Sequence, residues 1–340
     1  MPAQTYDALL VVSFGGPEGP DDVIPFLENV LRGKPVPRQR MLEVAEHYQH
    51  FGGISPINAQ NRELIAALQA RLAKDGPQLP IYWGNRNWHP LLTDTIGQMA
   101  RDGIRRSLAL VTSAYSSYSG CRQYREDIQR ACAEVGPTAP EVHKLRVFFN
   151  HPGFIAAVVD RVRDALDQLT DDRRQRAHLL FTAHSIPTAM AANCRYEVQL
   201  RQACQLVGRD LGNLPFQLVY QSRSGPPQQP WLEPDICDVL QGLAQDGDGA
   251  DVIVQPIGFI SDHMEVLYDL DTEAKAVCDQ HGLHMIRAKT VGTHPAFIDM
   301  IRQLILERTA DVPRQAVGDL APAPDVCPED CCLPPPRPAP

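Results

Sequence analysis

Eight short apolar runs punctuate the chain: "ALLVVSF", "IYWGN", "SLALVTSAY", "RVFFN", "AHLLFTAH", "FQLVYQS", "DVIVQPI" and "HMIRAKTV". Their nearly continuous Val, Ile and Leu content is that of strands covered on both faces. Between most of them lie amphipathic stretches such as "NRELIAALQARLAK" and "FIAAVVDRVRDALDQL". Strands alternating with helices imply α/β layers, in which helices cover both faces of a parallel sheet. Four runs fall before residue 150 and four after 176, which predicts two similar doubly wound, Rossmann-like halves, each with a four-stranded parallel sheet. The 340 residues suit two domains of ordinary size. The expected layout is an α/β domain over 1–150, a second over 151–293, a helix over 294–310 packing back across the halves, and a Pro/Cys-rich tail over 311–340.

"HPGFIAAVVDRV" (151–162) and "HPAFIDMIRQLI" (294–305) each open a helix just after a strand. Proline suits the first helical turn, so the repetition reads either as internal duplication or as one start signal used twice. No phosphate loop of the G-x-x-x-x-G-K-[ST] form and no G-x-G-x-x-G turn is present. In "FGGPEGPDD" (14–22) a proline and acids stand where phosphate would bind. The halves are therefore expected to hold no nucleotide, and to bind their ligand outside the carboxyl ends of the strands or between the halves.

A net charge of −9 argues against nucleic acid or an anionic membrane as the main partner. No apolar run approaches the ~20 residues of a membrane-spanning helix, and "MPAQTYDALL" lacks the basic start of a signal peptide. A cytoplasmic protein is expected. Six of the nine cysteines are scattered, at Cys121, Cys132, Cys194, Cys204, Cys237 and Cys278. The other three are packed into "CPEDCC" (327–332), within a proline-rich tail that has no core to bury thiols in. Clustered thiols there suggest a soft metal centre.

"SDHMEVLYDLDTEA" (261–274) carries five carboxylates and no basic residue. Glu265, Asp269 and Glu273 recur at i, i+4 and i+8, near one face of a helix, where like charges repel. A favourable dipole at a helix start accounts for Asp262 and for Glu265, but not for the two acids one and two turns further in. Acids so aligned become favourable once a cation passes among them. "FTAHSIP" (181–187) places His184 at the carboxyl end of a strand, and a histidine opposed by carboxylates can collect a divalent cation and take up protons.

Four blocks, "HYQHFGGISPIN" (47–58), "FTAHSIP", "YQSRSGPPQQPWLEPDI" (220–236) and "GFISDHMEVLYDLD" (258–271), resemble the signature blocks of ferrochelatases in order and spacing. The resemblance covers roughly residues 7 to 310, and the tail is similar to the actinobacterial version, which carries a [2Fe-2S] cluster. It implies a chelatase-type fold and a lyase that inserts Fe(II) into coproporphyrin III to give Fe-coproporphyrin III, within haem biosynthesis. The enzyme would be a monomer, with at most transient contacts to other haem-pathway enzymes.

The resemblance makes His184 the iron ligand and proton acceptor, with Glu265 as its partner across the ring, and Asp269 and Glu273 as an outward path for metal or protons. A π-helical widening would align those acids better than a regular α-helix. Ser55 and Tyr124 match porphyrin-contacting positions; from the residues alone, Ser55 is equally a helix cap and Tyr124 a core aromatic. Arg32, Lys34 and Arg122 are further candidates for the propionates. Where some relatives place a tyrosine able to bind iron, this chain has Phe14, which offers no oxygen. A [2Fe-2S] centre usually needs four thiolates; Cys327, Cys331 and Cys332 supply three, and Cys121 is the choice for the fourth. The C-x3-C-C spacing differs from the more open pattern of animal enzymes, and zinc suits the same thiolates. Three alternatives stand beside this reading: a protoporphyrin IX ferrochelatase, a cobalt or nickel chelatase of the related kind with two histidines at the metal, and a carrier without turnover.

Overall fold

The computed structural model describes residues 5–34, 36–226, 228–245, 250–310 and 312–334. Of the expected tail, Asp311 and residues 335–340 lie outside the described residues. All six residues of β1 (Ala8–Ser13) are buried, as a central parallel strand demands. β1 pairs with β2 (Ile81–Asn85) on one side and β3 (Arg106–Val111) on the other, and β3 continues to β4 (Glu141–Lys144), giving the order β2-β1-β3-β4. The second sheet repeats this permutation as β6-β5-β7-β8, from β5 (His178–His184), β6 (Phe216–Gln221), β7 (Asp251–Gln255) and β8 (His284–Arg287). All pairings are parallel.

Helices α1 (Val23–Leu31), α2 (Arg38–His50), α3 (Ile57–Asp75), α4 (Leu92–Arg101) and α5 (Gln123–Val135) accompany the first sheet. The second has α6 (Pro152–Leu166), the short α7 (Asp171–Arg174) and α8 (Thr188–Ala191), α9 (Tyr196–Asp210), α10 (Ile236–Gln245), α11 (Met264–Tyr268) and α12 (Lys275–His281). α13 (Pro295–Thr309) closes the regular structure. Two compact units result. The first holds residues up to Thr112, Gln123–Leu145 and Ile301–Pro313; the second holds Ser113–Arg122, Arg146–Met300 and the chain from Arg314. No helix among the described residues is long and apolar enough to cross a membrane.

One expected strand is absent. "RVFFN" (146–150) is an irregular segment, and the fourth strand of the first sheet is the preceding "EVHK". The run is apolar because Phe148 packs edge-to-face on Phe154 and Phe297, with ring centroids 5.7 and 5.8 Å apart. Its backbone bonds elsewhere: Asn150 O accepts from Val317 N at 2.9 Å. Apolar content alone does not separate a buried strand from a buried loop.

The two His-Pro segments share a local cause. His151 Nδ1 accepts from Gly153 N at 3.1 Å at the start of α6, and His294 Nδ1 accepts from Ala296 N at 3.3 Å at the start of α13. Each imidazole satisfies an amide that the first helical turn leaves unpaired.

Candidate functional site

In the order β6-β5-β7-β8 the chain crosses to β6 on one side of β5 and to β7 on the other, so a crevice opens where β5 and β7 end. His184 is the last residue of β5, and α11, which carries Glu265, follows β7. The returning loop passes tightly over β5: Gly258 N donates to Thr182 O at 3.0 Å. A Cβ on Gly258 would lie 2.7 Å from Ala183 Cα, so only glycine permits this approach beside His184.

The His184 ring is oriented at both nitrogens. Nδ1 donates to the Ser185 carbonyl, and Nε2 stands 3.6 Å from Glu265 Oε1. A carbonyl only accepts, so Nδ1 keeps its proton, and Nε2 is the nitrogen that gains or loses one. Burial alone would lower the His184 pKa, but the Glu265 carboxylate, the Ser185 carbonyl and the Asp269 charge outweigh it and raise the group to about 9. Glu265 moves the opposite way: burial favours its neutral form, yet the His184 charge holds it well below the usual carboxylate range. At neutral pH the two form an ion pair.

The acidic row is aligned by the apolar stripe behind it. Val266, Leu270, Ala274 and Cys278 are fully buried against β5, β6, β7 and α10 through Leu180, Val219, Val252 and Leu240. The residue before each of the first three is an acid: Glu265, Asp269 and Glu273. The helix widens to a π-helix over Asp269–Ala274, between α11 and α12. Two of the stretch's five carboxylates are not free for the row. Arg287 of β8 donates to Asp262 at 2.9 Å and to Asp271 at 2.5 and 2.9 Å.

Asp269 receives the Ser222 hydroxyl, and Gln221 Nε2 donates to Glu265 O at 2.8 Å. Burial pushes Asp269 up to about 7; the Ser222 bond opposes this, while Glu265 and Glu273 add to it. Ser222 has φ 64°, a left-handed conformation that a serine adopts at a cost. Glu273 is exposed further along.

Sequence reasoning missed a second histidine here. His263 Nδ1 accepts from Glu265 N at 3.2 Å and caps α11, and it lies 3.9 Å from Glu265 Oε2. Burial and the nearby His184 charge lower its pKa, against the pull of Glu265 and Asp262. The signal was legible as a histidine two residues before the acid, the spacing that also caps α6 and α13.

The expected porphyrin contacts sit in the first unit. Ser55 is buried, packs within reach of Gly16, and does not cap α3 through its side chain. Tyr124 is buried beneath the Arg86 guanidinium, 4.5 Å from its ring centroid, and Arg86 also pairs with Asp127. Phe14 meets Phe26 edge-to-face, with centroids 6.1 Å apart. A cavity of about 480 Å³ is bordered by Arg32, Lys34, Arg86 and Arg130 together with Asp127 and Glu134. Burial, then the Arg86 charge, lowers the Lys34 pKa.

The four cysteines converge in the second unit. Cys121 is buried in a second π-helical turn, Tyr118–Arg122. Cys327 hydrogen-bonds with Cys121 and Cys331, and Cys331 Sγ lies 3.4 Å from Cys332 Sγ. Hydrogen bonding from Cys121, then burial, raises the Cys327 thiol strongly; burial, then Cys331, does the same for Cys332. Thiols this crowded resist forming several anions unless a cation shares them. The soft donor set from two segments fits an iron–sulfur or zinc centre, although among the described residues no three His, Cys, Asp or Glu side chains stand ready to hold a metal ion.

The tail is also pinned without any metal. Arg146 donates to Gln315 O at 2.8 Å and Asn150 Nδ2 to Leu320 O at 2.7 Å. Arg122, next to Cys121, donates to Glu329 O at 2.5 Å and to Cys331 O at 2.9 Å. Cys332 has φ 55°, a left-handed residue within the thiol group.

A protein-family model described as Ferrochelatase matches residues 6–309. A "Ferrochelatase" of Rhodopirellula baltica is 59% identical over 98% of this chain and 95% of its own. A "Coproporphyrin III ferrochelatase" of Streptomyces griseus is 52% identical over 96% and 93%; one of Nocardia farcinica is 50% identical over 98% of each chain. Among solved structures, SirB from Bacillus subtilis with Fe3+ matches with a TM-score of 0.56 at 13% identity, over 90% of this chain and 97% of that one. That likeness shows the chelatase-type fold.

Proposed function

Because the chain belongs to the ferrochelatase family, we propose that it is the metal chelatase that inserts Fe(II) into coproporphyrin III, releasing two protons and Fe-coproporphyrin III. The observation that carries the site assignment is the His184–Glu265 pair, whose fixed Nδ1 leaves Nε2 as the reacting nitrogen. In the resting state His184 is already protonated, so it is not yet a base. A divalent cation arriving beside Glu265 favours loss of the Nε2 proton, since positive charges repel. The freed lone pair then meets iron or accepts a pyrrole proton. Asp269, raised to about 7, is poised to take the proton that Nε2 gives up at neutral pH. Glu273, exposed beyond it, completes a proposed path to solvent for metal or protons.

Ser55 and Tyr124 are proposed substrate contacts, with Tyr124 acting through the Arg86 it supports. Cys121, Cys327, Cys331 and Cys332 are the proposed ligands of a [2Fe-2S] cluster, which would supply a redox-sensitive cross-link between tail and fold. A cytoplasmic location accords with nine cysteines of which none is joined in a disulfide. The working form is proposed to be a monomer.

The second chelatase reading, with two histidines at the metal, gains a candidate in His263. Its Nδ1 is spent on the helix cap, and it takes a metal only by giving that up. The deciding measurement is anaerobic insertion of Fe(II) into coproporphyrin III and protoporphyrin IX side by side, with Co(II) and Ni(II) as rival metals and His184→Ala as control. The proposal expects the fastest turnover with Fe(II) and coproporphyrin III, and a fall of about 10²-fold or more in the variant. Faster metallation of protoporphyrin IX would move the substrate, and full activity of His184→Ala would remove the site.

A further inference from the structure

One helix bonds both to the strand end that carries His184 and to the segments that carry the thiols. Three polar side chains on one face of α9, at i, i+3 and i+6, are buried, and each is bonded to a different segment. Tyr196 Oη donates to His184 O at 3.1 Å. Gln199 accepts from Ser116 N at 2.7 Å and donates to Ser116 Oγ at 3.0 Å. Gln202, with its amide oxygen turned to the tail, accepts from Asp319 N and Leu320 N, both at 2.9 Å.

These three segments are the strand end bearing His184, the loop bearing Cys121, and the tail bearing Cys327, Cys331 and Cys332. The residue after Ser116 holds the turn that carries Cys121: Ser117 O accepts from Cys121 N at 3.0 Å, and Ser117 Oγ accepts from Gly120 N at 2.8 Å. A fifth thiol marks the start of the helix. Cys194 donates to Met190 O at 3.3 Å, and after burial its strongest thiol neighbours are Cys331 and Cys121. Buried polar groups on a helix are costly unless paired. Here all three partners are groups outside the helix, so α9 cannot shift without straining one of them.

We propose that α9 is a positioning bracket that makes the geometry of His184 depend on the state of the thiol group, through Tyr196 and Gln199, while Gln202 anchors the helix to the tail at 319–320. Tyr196 and Gln199 are then positioning residues for the insertion reaction. The coupling is reciprocal in binding terms, as any linkage between two sites must be. The inference rests on reading His184 as the residue that faces the metal.

The test is a double-mutant cycle between Tyr196→Phe and Cys332→Ser in the full chain, read by kcat and KM for Fe(II) insertion into coproporphyrin III and by the rate at which iodoacetamide alkylates Cys121. Tyr196→Phe is expected to lower kcat about 10-fold with KM within about 2-fold, since small misplacements of a reacting group act on the chemical step. Cys332→Ser is expected to lower kcat in the parent and to have no further effect when combined with Tyr196→Phe. Gln199→Leu is expected both to lower kcat and to speed Cys121 alkylation about 5-fold or more, and Gln199→Glu, which keeps the acceptor for Ser116 N, to restore both. Additive losses in the cycle would overturn the bracket, as would an unchanged kcat in Tyr196→Phe at an unchanged urea midpoint. His184→Ala run alongside separates the two readings: its full activity would remove both, whereas its inactivity with a silent Tyr196→Phe would remove the bracket alone.

Discussion

His184 Nε2 lies 3.6 Å from Glu265 Oε1, on residues that end one strand and follow another in the same sheet. At that separation the two charges attract without a short hydrogen bond. Each group holds the other in its charged form: His184 rises to about 9, and Glu265 falls below the usual carboxylate range. In the proposed insertion reaction an arriving cation replaces the imidazolium as the partner of the carboxylate.

Removing the carboxylate charge tests this exchange. Glu265→Gln should let the His184 pKa fall from about 9, because burial then acts with less opposition. NMR titration of the labelled imidazole reads the shift, and kcat should drop about 10²-fold or more. An unmoved titration would show that Glu265 does not govern the ring.

The same groups set the pH dependence of stability. His184 is raised in the fold, so its contribution is complete below 6.5 and is lost as pH climbs through about 9. Asp269 is a carboxyl raised from 3.8 to about 7, so the fold loses stability as pH rises between those values. Urea midpoints across pH 4 to 10 should therefore show two declines. Asp269→Asn should flatten the lower one and His184→Gln the upper; unaltered slopes in both variants would contradict the assignments.

Ser222 combines a strained backbone with a bond to Asp269. Ser222→Ala keeps the left-handed conformation and loses the bond, at a cost of about 1.5–3 kcal/mol where Asp269 is ionised. Ser222→Gly loses the bond but relieves about 1–2 kcal/mol of backbone strain, so it should be the more stable variant. Urea denaturation at pH 8 decides the order. Asp269 should titrate higher in both variants, since the hydroxyl lowers its pKa.

Two parts of the tail should respond differently to loss of the thiols. Residues 315–320 are held by Arg146, Asn150 and Gln202, none of which needs a metal. Residues 327–332 depend on Arg122 and on the cysteines themselves. Cys332→Ser should bleach visible absorption and open 327–332 to limited proteolysis, while 315–320 stays protected. Retained colour would reject the thiol ligand assignment, and cleavage throughout the tail would show that the metal alone organises it.

Local pattern determined a good deal of this protein. Continuous apolar runs specified seven of the eight strands among the described residues, because a parallel strand buried on both faces has almost no other composition open to it. The spacing of Glu265, Asp269 and Glu273 was legible because the buried stripe beside it recurs at the same interval. "RVFFN" misled for a physical reason: burial makes a segment apolar, but hydrogen-bond partners decide whether it becomes a strand, and those of Asn150 lie in the tail. The bonds of Ser222 to Asp269, Arg287 to Asp262 and Asp271, and Tyr196 to His184 join residues 47, 25, 16 and 12 positions apart. No periodicity encodes such pairs. They exist only once sheet register and helix packing have brought the segments together, and in the acidic row they tie Asp262 and Asp271 to Arg287 and Asp269 to Ser222.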